Sequence, residues 1–253
     1  HNGGVFPLTG YPAMDVKGWL KIFTVAREHG INHYRFHSWT PPEAAFVAAD
    51  LTGIYIQTEL PVWWGLDVKD SFQVSWLIDE GKRIMDAYGN HASFTMFALG
   101  NEISEERDTL KRMVSQIRKY DSRPLYAQGS NNRLSDPSYA EGDDFWVTFR
   151  TGKEAADLST DVRTSISHLD SEEGGILNTL YPSTNFTYEK AIEFSPVPVI
   201  GHEIGQYQVF PNFEKELPKY TGVLKPVNLE LFKERLAEKG IADQAQEFFK
   251  ASR

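Results

Sequence analysis

Short apolar segments alternate with longer segments in which apolar side chains recur at helical spacing. The short segments predict β-strands over residues 31–37, 54–60, 94–100, 124–128, 144–149 and 197–201. The longer segments predict helices over residues 15–29, 42–51, 72–88 and 105–120. This alternation is typical of parallel strands joined by crossover helices, which is an α/β fold.

The second half of the chain departs from this alternation. Residues 151–195 are rich in Ser, Asp and Gly with little periodicity, and we interpret them as a long excursion from the sheet. Residues 213–225 are expected to be irregular, and two amphipathic helices are predicted over 229–239 and 243–250, so that a helical tail begins near residue 226. We expect a single domain over residues 1–253, with these two additions.

The strand count bears on the completeness of the fold. A (β/α)8 TIM barrel has eight strands and a typical length of about 250 residues, and this chain has 253 residues but six predicted strands. We therefore expect a TIM barrel that is incomplete in this chain, with its first and last strands in the remainder of a larger polypeptide.

Composition excludes several classes of function. The net charge of −9 and the absence of a basic cluster argue against a nucleic-acid partner. No apolar run approaches the roughly 20 residues that cross a bilayer, so no membrane partner is expected. The absence of cysteine excludes disulfides, thiol catalysis and sulfur-bound metals.

Polar residues stand where three predicted strands end. In the strand over 31–37, alternation places His33, Arg35 and His37 on one face, opposite Tyr34 and Phe36. The strand over 94–100 leads into Asn101 and Glu102, and the strand over 197–201 leads into His202 and Glu203. Barrel enzymes carry their catalytic groups at the carboxyl ends of strands, so these residues are candidates for an active site.

Two carboxyl groups at such a site are typical of glycoside hydrolysis. In a retaining enzyme one carboxyl group donates a proton to the leaving oxygen, and the other attacks the anomeric carbon from about 5–5.5 Å away. We expect the acid to have a raised pKa and the nucleophile to stay ionised beside a cation such as Arg35.

Four segments together resemble glycoside hydrolase family 2 of clan A, which contains β-galactosidases, β-glucuronidases and β-mannosidases. They are NHYRFHSWTP at 32–41, FVAADLTGIYIQTE at 46–59, ALGNE at 98–102 and PVIGHE at 198–203. Their order and their placement at strand ends agree with the family pattern over roughly residues 1 to 210. The resemblance implies a catalytic TIM barrel of the β-galactosidase type that cleaves β-glycosidic bonds in oligo- or polysaccharides.

The resemblance also implies roles for particular residues. Glu102 corresponds to the acid/base and Glu203 to the nucleophile. Asn101 would bind the 2-hydroxyl of the sugar, Arg35 would keep the nucleophile ionised, and His37 would line the subsite of the scissile sugar.

Aromatic residues are candidates for contacts with the sugar ring. Trp63, Trp64 and Trp146 could stack on a pyranose. The sixth strand lacks the tyrosine with which this family contacts the nucleophile, and Tyr181 or Tyr207 could replace it.

The resemblance argues against a cofactor. Some family members bind a divalent ion at the residue that corresponds to Glu59, but Pro61 stands where those enzymes have a histidine. We predict no metal and no cofactor. A periplasmic or secreted location is suspected from the family alone.

Two alternatives remain at this stage. A metal-dependent hydrolase on the same fold would draw on His33, His37, His202 and Glu203, but alternation should place the last two on opposite faces of their strand. A catalytically inactive carbohydrate-binding barrel is the second alternative.

Overall fold

The computed structural model describes residues 1–103, 107–132, 138–148, 192, 195–203 and 209–252. Almost all of the predicted excursion over 151–195 lies outside the described residues, as do Tyr181 and Tyr207. Both tyrosine assignments therefore stay predictions.

All six predicted strands are confirmed, with bounds shorter than those predicted. They are β1 (His33–Arg35), β2 (Tyr55–Glu59), β3 (Phe94–Ala98), β4 (Leu125–Ala127), β5 (Trp146–Thr148) and β6 (Val199–Gly201). The apolar patterns extend beyond the residues that form ladder hydrogen bonds, which explains the difference in bounds.

The helices follow the predicted positions. They are α1 (Val16–Glu28), α2 (Glu43–Thr52), α3 (Ser71–Tyr88), α4 (Arg107–Tyr120), α5 (Phe213–Glu216), α6 (Val227–Glu238) and α7 (Ala245–Ala251). The short helix α5 was not predicted, and it forms because the Asn212 side chain accepts a hydrogen bond from the Lys215 amide at its first turn.

The strands form two parallel sheets. One sheet has the order β1-β2-β3-β4, and the other pairs β5 with β6. A parallel bridge between Ser130 and Val147 connects the segment after β4 to β5, and the Asn131 amide donates to the Val147 carbonyl over 2.7 Å. The α/β class is thus confirmed, whereas the described residues do not form a closed eight-stranded barrel.

The predicted alternation of β1 is confirmed by its packing. Phe36 packs edge-on against Trp19 of α1 at 5.7 Å between ring centroids, and Tyr34 meets Phe23 of the same helix at 5.2 Å. Arg35 lies on the opposite face, where it is buried against polar partners. The apolar face of β1 therefore holds the helix and leaves the other face for charged groups.

The chain divides into two compact units. The first comprises the described residues of His1–Gly4 and Ala13–Gln206 and contains all six strands. The second comprises Val5–Pro12 and the described residues of Tyr207–Arg253, and Phe210 packs there against Phe213, Phe232 and Phe248. A single domain over residues 1–253 stays a prediction. No helix in the described ranges is long and apolar enough to cross a membrane.

Candidate active site

Glu102 and Glu203, which follow β3 and β6, converge on one histidine. His202 Nε2 lies 3.7 Å from Glu102 Oε1 and 3.4 Å from Glu203 Oε1. The two carboxylate oxygens are therefore at most about 7 Å apart, the sum of these two distances. The sequence placed these glutamates 101 positions apart, and the fold brings them to one place.

The backbone at both glutamates is in the left-handed region, with φ of 51° at Glu102 and 48° at Glu203. Such a conformation costs a non-glycine residue about 1–2 kcal/mol. The expectation that His202 and Glu203 face opposite ways is wrong, because the strand ends at Gly201 and the left-handed residue at 203 breaks the alternation. The backbone turn brings both neighbours into the site.

The other described non-glycine residues with positive φ also lie at this site. They are Ser38, Trp64 and Asn131, with φ of 59°, 62° and 54°. Trp64 and Asn131 hydrogen-bond to Glu102, and Ser38 contacts His37. Strained backbone persists where the surrounding structure enforces it and is concentrated at functional sites. The distribution of strain therefore marks this region independently of any motif.

Glu102 accepts hydrogen bonds from two indoles. Nε1 of Trp64 lies 2.8 Å and Nε1 of Trp63 lies 3.3 Å from Glu102 Oε2. Burial is the largest influence on Glu102 and raises its pKa, but contacts with His202 and the two indoles outweigh burial and lower the pKa to about 2. The expected raised pKa of an acid is thus wrong for this carboxyl group in the absence of substrate.

Glu203 lies beside two imidazoles. His37 Nε2 is 3.2 Å from Glu203 Oε1, and His202 is the second neighbour. Burial raises the pKa of Glu203, but contacts with His202 and His37 outweigh it and hold the pKa well below its usual range. This environment agrees with the prediction of an ionised nucleophile and places His37 next to it.

Arg35 has a different partner from the one predicted. Its Nε and Nη2 atoms donate to the two oxygens of Glu59 over 2.6 and 3.0 Å, and Nη2 also donates to Asn101 Oδ1 over 2.6 Å. Arg35 contributes to the lowered pKa of Glu203 only as a minor electrostatic influence. The prediction that Arg35 keeps Glu203 ionised is therefore only partly met, because the main donors to Glu203 are imidazoles.

Glu59 is fully buried and surrounded by donors. Besides Arg35, it accepts hydrogen bonds from the hydroxyl of Ser130 over 2.6 Å, the amide nitrogen of Gln57 over 3.3 Å and the backbone N–H of Ser38 over 2.8 Å. Sequence reasoning missed this cluster, although charged residues near the ends of the adjacent strands β1 and β2 signalled it. Glu59 is thus the counter-charge that fixes Arg35.

The alternative of a metal-dependent hydrolase requires a set of metal ligands, and the part of the chain that the structure describes does not contain one. No group of three or more His, Asp or Glu side chains there could hold a metal ion. His33 is half-buried, and desolvation lowers its pKa to about 4.

Asn101 presents a free donor. Its Oδ1 accepts from Arg35, which can only donate, so the amide orientation is fixed with Nδ2 on the other side. Asn101 is 1% exposed, and its Nδ2 has no hydrogen-bond partner among the described residues. A buried donor without a partner is costly, which makes it a candidate contact for a ligand.

The predicted aromatic residues divide into two groups. Trp63 and Trp64 are 62% and 57% exposed, so their ring faces remain available while their N–H groups hold Glu102. Trp146 is buried within β5 and lines a small cavity with Gln128 and Asp143. The structure thus brings Trp64 to the carboxylates and places Trp146 in the wall of that cavity.

No protein-family model and no curated protein matches this sequence. Several solved structures are similar to part of it. A β-glucuronidase from Parabacteroides merdae is 16% identical with a TM-score of 0.44, over 57% of this chain and 19% of its own. An uncultured Clostridium sp. β-glucuronidase is 20% identical with a TM-score of 0.49, over 57% of this chain and 28% of its own.

A GH2 β-galacturonidase from Eisenbergiella tayi is 16% identical with a TM-score of 0.45, over 54% of this chain and 25% of its own. The matched part of this chain spans between 19% and 28% of the length of these enzymes. Likenesses of this extent carry no conclusion about substrate, and the β-galactosidase-like specificity stays a prediction.

Proposed function

We propose that this protein is a retaining glycoside hydrolase that cleaves β-glycosidic bonds in oligo- or polysaccharides by double displacement. The observation that carries this proposal is the convergence of Glu102 and Glu203 on His202, each on a left-handed backbone turn after a parallel strand. Glycoside hydrolysis requires two carboxyl groups. Barrel enzymes carry their catalytic groups at strand ends.

The proposed reaction assigns one role to each glutamate. Glu203 attacks the anomeric carbon and forms an ester while the glycosidic C–O bond breaks, and Glu102 gives its proton to the departing oxygen. Water then attacks the same carbon, Glu102 accepts the proton of that water, and the Glu203 ester bond breaks. Two inversions at one carbon retain the anomeric configuration.

The separation of the carboxylates is compatible with this mechanism. Retaining enzymes hold the pair about 5–5.5 Å apart, and inverting enzymes hold it about 6.5–9.5 Å apart. The upper limit of about 7 Å between the two Oε1 atoms is compatible with the retaining distance and with the short end of the inverting range.

Contacts for the sugar are available around the pair. The Nδ2 of Asn101 offers a hydrogen bond to a hydroxyl group, in agreement with the role that the family resemblance implies for it. The exposed faces of Trp63 and Trp64 offer stacking surfaces beside Glu102. His37 contacts Glu203 and lies at the edge of the same site.

The low pKa of Glu102 predicts how kcat/KM depends on pH. The acid must hold a proton when substrate binds, whereas Glu102 without substrate is held ionised down to about pH 2. We therefore expect kcat/KM to be highest at acidic pH and to fall as the pH rises.

The test uses aryl β-glycosides of galactose, glucose, mannose, glucuronic acid and galacturonic acid. We expect at least one to be hydrolysed, and Glu203→Gln to lower that rate by about 10⁴-fold or more. The first anomer released, followed by proton NMR, should be β. Release of the α anomer, or equal rates for wild type and Glu203→Gln, would refute the proposal.

The second candidate, an inactive carbohydrate-binding barrel, is favoured by the same low pKa of Glu102, because a carboxyl group that ionises near pH 2 is a poor acid at neutral pH. Titration calorimetry with the free sugars distinguishes the two. Binding of a sugar without hydrolysis of its aryl glycoside at any pH from 3 to 8 would favour the second candidate.

A further inference from the structure

His202 lies deeper than the carboxylates that it joins. Its side chain is 2% exposed, compared with 16% for Glu102 and 15% for Glu203. Its backbone N–H donates to the Thr148 carbonyl of β5 over 3.1 Å, so the residue is fixed to the sheet. The proposed reaction described above gives it no role.

Arg35 determines which ring nitrogen carries the proton. Arg35 Nη1 lies 3.3 Å from His202 Nδ1. A guanidinium group has only donors, so Nδ1 must be the acceptor, and the ring proton is on Nε2. A proton on Nδ1 would instead point at a cation.

Arg35 cannot easily turn away from this contact. Its other nitrogens donate to both oxygens of Glu59 and to Asn101. The contacts that link Glu59, Arg35 and His202 therefore fix the orientation of the His202 ring. Its Nε2–H group points toward Glu102 and Glu203.

We propose that His202 is a positioning residue whose Nε2–H, fixed by Arg35, holds Glu102 and Glu203 in their reacting geometry and serves whichever of the two is charged. This inference rests on the proposed function for its catalytic consequence, but the positioning itself is measurable without turnover. His202 neither gains nor loses a proton in this role.

The distances fit a shared donor. Nε2 is nearer to Glu203, at 3.4 Å, and Glu203 is the carboxyl group that must be charged when it attacks. Once Glu203 has become an ester and Glu102 has given up its proton, the negative charge is on Glu102, whose Oε1 is 3.7 Å from the same nitrogen. Both distances are long for a hydrogen bond, so a shift of under an ångström would suffice to form either one.

The test compares three substitutions in the full chain. His202→Phe removes both ring nitrogens and keeps a ring. His202→Gln places an amide N–H near the position of Nε2, whereas His202→Asn places its amide near Nδ1 and cannot reach the carboxylates. His91→Gln is the matched control, because His91 contacts Asp50 and no residue of the site.

The first measurement is carbon NMR titration of the Glu102 and Glu203 carboxyl groups. The charged and titratable groups around the carboxylates in the described part of the chain include Arg35, His37 and the α-amino group of His1, with Glu59 and His33 beside Arg35. Losing a donor to the charged form raises a carboxyl pKa, so His202→Phe and His202→Asn should raise both values, while His202→Gln and His91→Gln should change them little.

The second measurement is kcat/KM against pH for whichever aryl glycoside is hydrolysed. His202→Phe and His202→Asn should lower kcat/KM by about 100-fold and move the whole profile to higher pH. His202→Gln should recover all but about 10-fold of the wild-type value.

The outcomes separate this inference from the proposed function. Unchanged carboxyl titrations in His202→Asn, or equal losses in His202→Asn and His202→Gln without a pH shift, would overturn the positioning role. Raised carboxyl pKa values in a protein that hydrolyses no glycoside would support the positioning role and refute the proposed function.

Discussion

Three glutamates, Glu59, Glu102 and Glu203, lie at or just after the ends of parallel strands. The surroundings of Glu59 differ from those of the other two. Glu59 is the last residue of β2, and both of its oxygens accept hydrogen bonds from protein donors, Arg35 among them. Glu102 and Glu203 follow β3 and β6, have partly exposed side chains and lie against indole and imidazole groups.

The difference lies in what a ligand could displace. Burial raises the pKa of Glu59, but the Arg35 charge and several hydrogen bonds outweigh burial and hold it below its usual range. No oxygen of Glu59 is left for a substrate. At Glu102, by contrast, two of the donors are the N–H groups of the exposed indoles of Trp63 and Trp64. The type of donor, more than the position at a strand end, therefore separates the structural carboxylate from the two that are proposed to react.

The largest expected effect comes from removing the structural charge. Glu59→Gln should lower the free energy of unfolding by about 3–5 kcal/mol, because Arg35 stays buried without its counter-charge. Urea unfolding measures this change. The matched substitution Glu102→Gln leaves no buried cation unpaired, so its effect on unfolding should be much smaller; equal losses in the two variants would remove the distinction.

The decrease in the free energy of unfolding at acidic pH should depend on all three glutamates. The pKa of each is lower in the folded protein than in the unfolded chain, so each contributes stability above about pH 4.3 that is lost as the pH falls. Glu102→Gln and Glu203→Gln should each reduce the loss of stability between pH 5 and pH 2, followed by urea unfolding at each pH. Glu28→Gln, an exposed position on α1, should leave the profile unchanged.

An intermediate effect should follow from removing one indole donor. Trp64→Phe keeps a ring but loses the N–H that lies 2.8 Å from Glu102. One hydrogen bond is worth about 1 kcal/mol, so the pKa of Glu102 should rise by about half a unit to one unit. The basic limb of kcat/KM should move up in pH by the same amount. Trp76→Phe, on α3, is the control and should leave the pKa of Glu102 unchanged. A shift of this pKa in Trp76→Phe but not in Trp64→Phe would contradict the assignment.

Much of the fold followed from the sequence because it rests on periodicity. The alternation in β1 correctly placed Arg35 opposite Phe36, and helix spacing gave α1 to α4 within a few residues. Closure of a barrel did not follow, since it depends on strands that no local pattern in these residues supplies.

The sequence named the residues that come together at the candidate site, but it did not predict their pairings. Glu102 and Glu203 were identified from strand ends, whereas the partner of Arg35 was assigned to Glu203 and proved to be Glu59. Pairing depends on which strands are neighbours and on the local backbone. The left-handed turn at Glu203, which brings His202 into the site, has no signal in the residues around it.

The smallest effect tests that backbone difference directly. Glu102 has a φ of 51°, where a glycine is relaxed and an alanine is strained, so Glu102→Gly should be more stable than Glu102→Ala by about 1 kcal/mol. Glu59 lies in regular strand β2, where glycine costs about 0.5–1 kcal/mol more than alanine, so the order should reverse there. Each pair removes the same carboxylate, and only the backbone preference differs within a pair. Urea midpoints of the four variants give the two differences, and the same sign at both positions would show that backbone strain does not distinguish Glu102 from Glu59.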